Sequence, residues 1–143
     1  MTLDESTLRG VPAEEVGMAA DGKVEALRRI LDGFNAHDLD SIMAFFDDDC
    51  VFESPRGPDP WGRRFVGKEE VRRGLRARFE GIPDVRYDED DHFACGNRGA
   101  SEWTIRGTTV EGVRVDVRGC DLWTFGDDGS VTRKDSYWKI REG

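Results

Sequence analysis

Asp121 stands where an apolar side chain belongs. From Val113 to Phe125, the residues Val113, Val115, Val117, Trp123 and Phe125 share one phase of a two-residue alternation, with Arg114, Asp116 and Arg118 in the other. That pattern describes a strand with one buried face, and Asp121 falls in the buried phase. A carboxylate there must be paired, hydrogen-bonded or held neutral, the condition under which acids become catalytic or ligand-orienting. Gly119 leaves a second reading open. A bulge at that glycine would turn Cys120 and Leu122 inward and put Asp121 in water, although the apolar phase resumes at Trp123 and Phe125. On the next strand, an inward Trp138 brings Thr132, Lys134 and Ser136 inward too, and Lys134 then faces Asp121 across the hairpin. The opposite phase buries Val131 and Tyr137 and turns Asp135 inward. A facing Lys–Asp couple reads either as acid–base machinery or as a structural ion pair.

Other chemistries find little support. His37 lies in a turn between helices and reads as a capping or solvated residue. His92 follows Asp88-Glu89-Asp90-Asp91, but neighbouring acids on a strand point to opposite faces and do not converge on one metal ion. Ser54 and Ser136 have no histidine at a diagnostic spacing and there is no nucleophile elbow, so a serine-hydrolase triad is not expected. Gly-rich phosphate loops are missing as well, and the expectation is no cofactor, no metal and no nucleotide. With 30 acidic against 21 basic residues and a net charge of -9, the surface suits neither nucleic acid nor an anionic membrane. Three well-separated cysteines, Cys50, Cys95 and Cys120, read as reduced thiols in a cytoplasmic protein. The N-terminus lacks the pattern of a signal peptide, and no stretch reaches transmembrane length.

The 143 residues fit one domain from Asp21 to Gly143, preceded by a mobile arm over residues 1–20. Val24, Leu27, Leu31 and Phe34 predict an amphipathic helix over 22–36, capped by Asp21. A shorter helix carries Leu39, Ile42, Met43 and Phe46 and ends at Asp47-Asp48-Asp49. Residues 50–54 predict a strand stopped by Pro55. From there to Gly67 the prolines and glycines predict a loop, with Trp61 and Phe65 packed over a cavity mouth or a subunit contact. Val71, Leu75 and Phe79 predict a third helix from Gly67 to about Gly81, whose arginines, Arg78 included, form a solvated face. After Pro83 the pattern turns to strands near 85–95, 100–109, 113–125 and 131–140, with hairpins at Glu111-Gly112 and Gly126-Asp127-Asp128-Gly129. The class is α+β: helices packed on the concave face of a curved, mainly antiparallel sheet.

These elements carry local motifs: Asn35-Ala36-His37-Asp38, the run from Phe45 to Pro55, Gly67-Lys68-Glu69 and the closing Ser136-Tyr137-Trp138. With them, residues 22–140 resemble the SnoaL-like, ketosteroid-isomerase-like branch of the nuclear transport factor 2-like superfamily. The resemblance implies a cone-shaped half-barrel with a deep apolar pocket, and a homodimer joined through the outer sheet face. It does not name a reaction, because the fold hosts isomerases, cyclases, hydrolases and non-catalytic binders. In the ketosteroid isomerases an aspartate precedes the proline of the first strand, where this chain has Ser54, and the helix tyrosine aligns with Ile30. Their second acid, which works protonated, falls on Asp121. The Arg and two Asp of the epoxide-hydrolase branch fall on Glu102, Thr104 and Ser136. The alignment places Glu102, Thr104 and Arg106 on the inner face, whereas hydrophobicity turns Trp103 and Ile105 inward. On the alignment, Asp121 and Lys134 are the candidate catalytic residues. Phe34, Phe52, Ser54, Trp61, Glu102, Thr104, Arg106, Trp123, Ser136 and Trp138 are then the candidate ligand contacts. The expected partner is a small apolar or aromatic metabolite, undergoing isomerisation, cyclisation or hydration. A non-catalytic binding or interaction module with a structural Asp121 is the alternative.

Overall fold

A computed structural model of the chain describes residues 13–142; the expected arm falls in part on residues 1–12, outside the described residues. The elements run α1 (Ala13–Asn35), α2 (Leu39–Met43), β1 (Phe46–Asp59), β2 (Gly62–Val66), α3 (Lys68–Gly81), β3 (Arg86–Cys95), β4 (Arg98–Thr108), β5 (Arg114–Phe125) and β6 (Val131–Trp138). Six strands form one open sheet in the order β2-β1-β6-β5-β4-β3. All neighbours are antiparallel except β1 and β6, which pair in parallel. Among the described residues no helix is long and apolar enough to cross a membrane.

The apolar periodicity of α1 accounts for its docking. Leu27, Ile30, Leu31 and Phe34 are all buried, one stripe of a helix that lies on β3 and β4. The helix is longer than the sequence predicts, and Asp21 lies inside it rather than at its cap. Its sequel does three jobs with three polar side chains. Asn35 bonds both backbone groups of Tyr87, donating to the carbonyl at 2.9 Å and accepting from the N–H at 2.7 Å. His37 reaches the Val85 carbonyl oxygen at 2.8 Å and stacks on Phe79. Asp38 caps α2 by accepting from the Ser41 N–H and hydroxyl. The motif between the first helices therefore pins the start of β3, and with it Tyr87.

Two expectations in the next stretch are overturned. Phe46 opens a strand instead of closing a helix, so Asp47, Asp48 and Asp49 lie on β1. The stretch after Pro55 is also not a loop. β1 runs on to Asp59 and turns back into β2, with a register shift between Ser54 and Asp59. Prolines are tolerated because β1 pairs with β6 only as far as Glu53, so the residues beyond owe that neighbour no hydrogen bonds. Gly62 permits the turn: its φ is 80°, and a Cβ there would sit 1.9 Å from the Ser54 carbonyl oxygen. Phe65 then stacks on Phe52 with ring centroids 5.6 Å apart, and α3 passes close over it at Gly74.

Gly119 makes no bulge. The β4–β5 register is unbroken from Arg98↔Thr124 to Thr108↔Arg114, and Asp121 is buried with 3% of its surface exposed. The sheet's irregularity on this side lies in β3 instead, between Asp88 and Asp91, where Glu89 takes a φ of 54°. What Gly119 supplies is space. It pairs with Trp103, and a Cβ on it would lie 2.4 Å from the indole and 2.6 Å from the Tyr137 carbonyl oxygen. The missing side chain lets Trp103 lie flat across β5 towards Asp121. Gly119→Ala should therefore cost about 1–3 kcal/mol by overpacking, read as a lower urea midpoint with altered tryptophan emission. An unchanged midpoint would remove this account of the glycine.

Candidate functional site

The inward faces of β4, β5 and β6 converge on a buried polar group. Asp121 Oδ1 accepts from Lys134 Nζ at 2.8 Å and from the Ser136 hydroxyl at 2.5 Å, while Oδ2 accepts from Trp103 Nε1 at 2.9 Å. Lys134 also donates to Ser136 at 2.7 Å. Strand pairing explains the meeting: Asp121 is opposite Ser136, and Trp123 is opposite Lys134. Side-chain exposure is 6% for Lys134 and 5% for Asp121. Three rings surround the ammonium, with Nζ 4.8 Å from the centroid of Phe52, 5.2 Å from Phe34 and 5.6 Å from Trp123. Aromatic faces soften the loss of water around a cation, but burial still moves the Lys134 pKa down. Asp121 opposes that shift and Arg78 adds to it. A lysine so placed exchanges its proton more readily than one in water.

Beside this group is a cavity of about 10 Å³, room for about one water. Phe34, Phe52, Tyr87, Trp103, Lys134 and Ser136 are among its buried walls, and Pro55, Arg78 and Trp138 form its half-buried rim. Asp121 does not reach it. The side chains presented to the cavity are Lys134 and Ser136, with the carboxylate behind them. Tyr87 packs edge-on against Trp103 at 5.0 Å and Phe34 at 5.6 Å, and burial pushes its phenol up to about 12. At the rim the Arg78 guanidinium lies over the Trp138 ring at 4.4 Å, and its positive charge partly offsets the rise of the Tyr87 phenol. A larger but open groove of about 490 Å³ lies outside α1 and α2, near Arg29 and Asp38. It holds none of these residues.

Of the candidate ligand contacts, Phe34, Phe52, Ser136 and Trp138 line the cavity, and Trp123 sits behind Lys134. Five other candidates lie elsewhere. Glu102 is exposed, Thr104 accepts from Arg118 at 3.0 Å, and Arg106 is tied to Asp88, Glu89 and Asp116. All three occupy the outer face, because Trp103 and Ile105 take the inner phase. Hydrophobicity decides the orientation of β4, against the alignment. Ser54 turns to the Arg56 carbonyl oxygen at 2.7 Å. Trp61 is 42% exposed beneath Arg64 instead of covering a cavity mouth. Position 30, aligned with the isomerase tyrosine, is a fully packed isoleucine. Tyr87 and Arg78 join the site without a signal of their own in the sequence. Tyr87 lies in a short, uneven apolar stretch, and Arg78 is one of several arginines on an amphipathic helix.

A second polar chain runs deeper under α1. His92 joins Asp90 through Nε2 at 2.7 Å and Ser101 through Nδ1 at 2.7 Å, and Trp123 Nε1 donates to the Ser101 hydroxyl at 3.0 Å. The order of groups is that of a hydrolase triad, although no motif or spacing announces one. However, Ser101 is 1% exposed and lines neither cavity described above. The chain anchors Trp123, the ring behind Lys134. Among the described residues no cluster of His, Cys, Asp and Glu is built to hold a metal.

The SnoaL-like domain model matches residues 27–134, more than half of the sequence. The chain belongs to the SnoaL-like family. No curated protein sequence matches it significantly. Solved structures with the same fold include a candidate polyketide cyclase from Xanthomonas campestris pv. campestris, 18% identical, with a TM-score of 0.74 over 85% of this chain and 93% of that one. A nuclear transport factor 2-like protein of unknown function from Mesorhizobium loti is 26% identical, with a TM-score of 0.70 over 85% and 93%. TerC, co-crystallised with polyporic acid, is 19% identical, with a TM-score of 0.68 over 82% and 91%. The expected cone architecture is therefore that of this SnoaL-like protein: three helices on a six-stranded mixed sheet that does not close.

Removing one member of the buried pair should be costly. Lys134→Met strands the Asp121 charge, about 3–5 kcal/mol, whereas Lys134→Met combined with Asp121→Asn should cost less than the two single changes summed. The pH dependence has a definite sign. The unfolded chain returns Lys134 to its ordinary 10.5, so between the lowered folded value and 10.5 the unfolded state binds more protons. Stability from this group therefore rises with pH across that window. Tyr87 acts oppositely: between 10 and about 12 only the folded state keeps the phenolic proton, and stability falls. Urea unfolding at several alkaline pH values, wild type against Lys134→Met, isolates the rising component. Parallel curves would show that Lys134 does not titrate differently on folding.

Proposed function

We propose that this SnoaL-like protein binds a small, mostly apolar, aromatic or polyketide-like metabolite between the three helices and the sheet, and moves a proton on it. The observation that supports this reading is the placement of Lys134. It is a buried amine with a lowered pKa, presented with Ser136 to a cavity walled by aromatic rings. In this proposal the roles expected from the sequence are exchanged. Lys134 is the acid–base group, and Asp121 is the positioning residue that holds it and tunes its proton affinity.

The neutral amine takes a proton from a carbon next to a ligand carbonyl, leaving an enolate and the Lys134 ammonium. That ammonium is already paired to Asp121, so the new charge is met without rearrangement. The proton then returns either to another atom of the enolate, giving an isomer, or to the alkoxide formed when the enolate carbon attacks a second carbonyl, giving a ring. The Ser136 hydroxyl, bonded to both groups, steadies the amine between the two transfers. The cavity's small volume requires the rim to open first. Pro55 in the β1–β2 hairpin and the Arg78–Trp138 couple are the partly exposed residues that would move.

Exchange of α-protons for deuterium tests the chemistry without knowledge of the product. With 2-tetralone as probe in heavy water, the wild type should accelerate exchange, and Lys134→Met should lose about 10²-fold or more of that acceleration. Asp121→Asn should retain some activity but move the pH midpoint downward, since the carboxylate raises the amine's proton affinity. The mutual satisfaction of Asp121, Lys134, Ser136 and Trp103 favours a second reading, a binder with a structural pair. Probe binding by tryptophan quenching, with exchange no faster than in buffer, would decide for it.

A further inference from the structure

The rim arginine narrows the kind of ligand. Several arginines have no carboxylate within ion-pair distance among the described residues, and all of them except Arg78 are solvent-exposed. Arg78 is half-buried and lines the cavity. A sheltered guanidinium with no carboxylate partner among the described residues, in a chain with 30 acidic residues, invites an anion from outside. Its plane is held from one side by the Trp138 ring at 4.4 Å, which leaves the donor edge of the guanidinium for a ligand. The carboxylate of the adjoining polar group, Asp121, is already committed to Lys134, Ser136 and Trp103.

We propose that the ligand of this site is an aromatic carboxylate, and that Arg78 is the residue that anchors its acid group at the rim. The inference rests on the reading of the Lys134 cavity as a ligand site. A planar, preoriented guanidinium binds a carboxylate through two parallel hydrogen bonds. The carboxylate would also lie beside Lys134 in its ammonium form, since both residues line the cavity and Arg78 disfavours the charge on the lysine. An anion there relieves that repulsion while the ring of the ligand enters among Phe34, Phe52 and Trp103. The bland role for Arg78, a cation in the last turn of α3 stacked on a tryptophan, predicts no discrimination between charged and neutral ligands.

The experiment uses the full chain and two probes of one shape, 2-naphthoate and 2-naphthamide, titrated by calorimetry at pH 7.5 with the Lys134→Met protein in parallel. The wild type should bind the acid at least about tenfold more tightly than the amide. Arg78→Gln should bring the two affinities together, and Arg78→Lys should restore part of the difference. Equal affinities in the wild type, or a preference that survives Arg78→Gln in a protein with an unchanged unfolding midpoint, would overturn the inference. If the amide binds as well as the acid, the cavity stands as a ligand site and only the anchor falls. If neither probe binds, both fall. Should Arg78→Gln be unfolded, the naphthoate preference is followed instead in Arg78→Lys and Trp138→Leu, where it should shrink in both.

Discussion

The polar centre of this protein is one carboxylate that accepts hydrogen bonds from a lysine, a serine and an indole while almost wholly removed from water. Each donor comes with its own structural requirement. Trp103 reaches Asp121 only because the residue opposite it on β5 is glycine. Lys134 is tolerated only because three aromatic faces stand near its ammonium, and one of them, Trp123, is held by Ser101 and, through it, His92. Buried charges survive when every lone pair and proton is met, and among the described buried side-chain nitrogens and oxygens none lacks a partner. The inner surface of the sheet is arranged around that condition.

The outer surface answers a similar demand differently. Glu53 is fully buried on β1, and it is held by Arg64 from β2 and Arg133 from β6. Those arginines are themselves partly exposed, so the charge is solvated at second hand. The pair at Lys134 has no such outlet, and its rings make the surroundings drier. Two buried acids on adjoining parts of one sheet thus have different tasks. Glu53 ties three strands together, whereas Asp121 gathers a lysine, a serine and an indole on the inner face.

Alternation in the sequence was a reliable guide where a strand carries several apolar residues in step. It favoured Asp121 inside but left two phases open for Lys134, while the turn residues Glu111-Gly112 and Gly126-Asp127-Asp128-Gly129 marked both β-hairpins from 108 to 131. It also turned Trp103 and Ile105 inward, and where alignment to relatives said otherwise for Glu102, Thr104 and Arg106, side-chain partition decided. It failed where conformation depends on partners far away in sequence. Pro55, Pro58 and Pro60 fit a loop by any local rule, yet they lie in an edge hairpin whose residues beyond Glu53 owe β6 nothing. Tyr87 was hidden for a related reason. Its orientation comes from Asn35 and from a bulge in β3, neither of which is expressed in the residues beside it. Arg78 has an ordinary helical environment in sequence and acquires meaning only when Trp138 and Tyr87 are brought to it.

The parallel pairing of β1 with β6 has a consequence for how the molecule is made. Phe52 comes from the first strand and Lys134 and Ser136 from the sixth, about eighty residues later in synthesis. A fragment that ends before β6 contains only part of the cavity wall; it contains Asp121 with its main partners missing, an acid with a reason to stay hydrated. Closing the sheet over Asp121 before Lys134 and Ser136 have been made would bury a carboxylate short of two of its three partners.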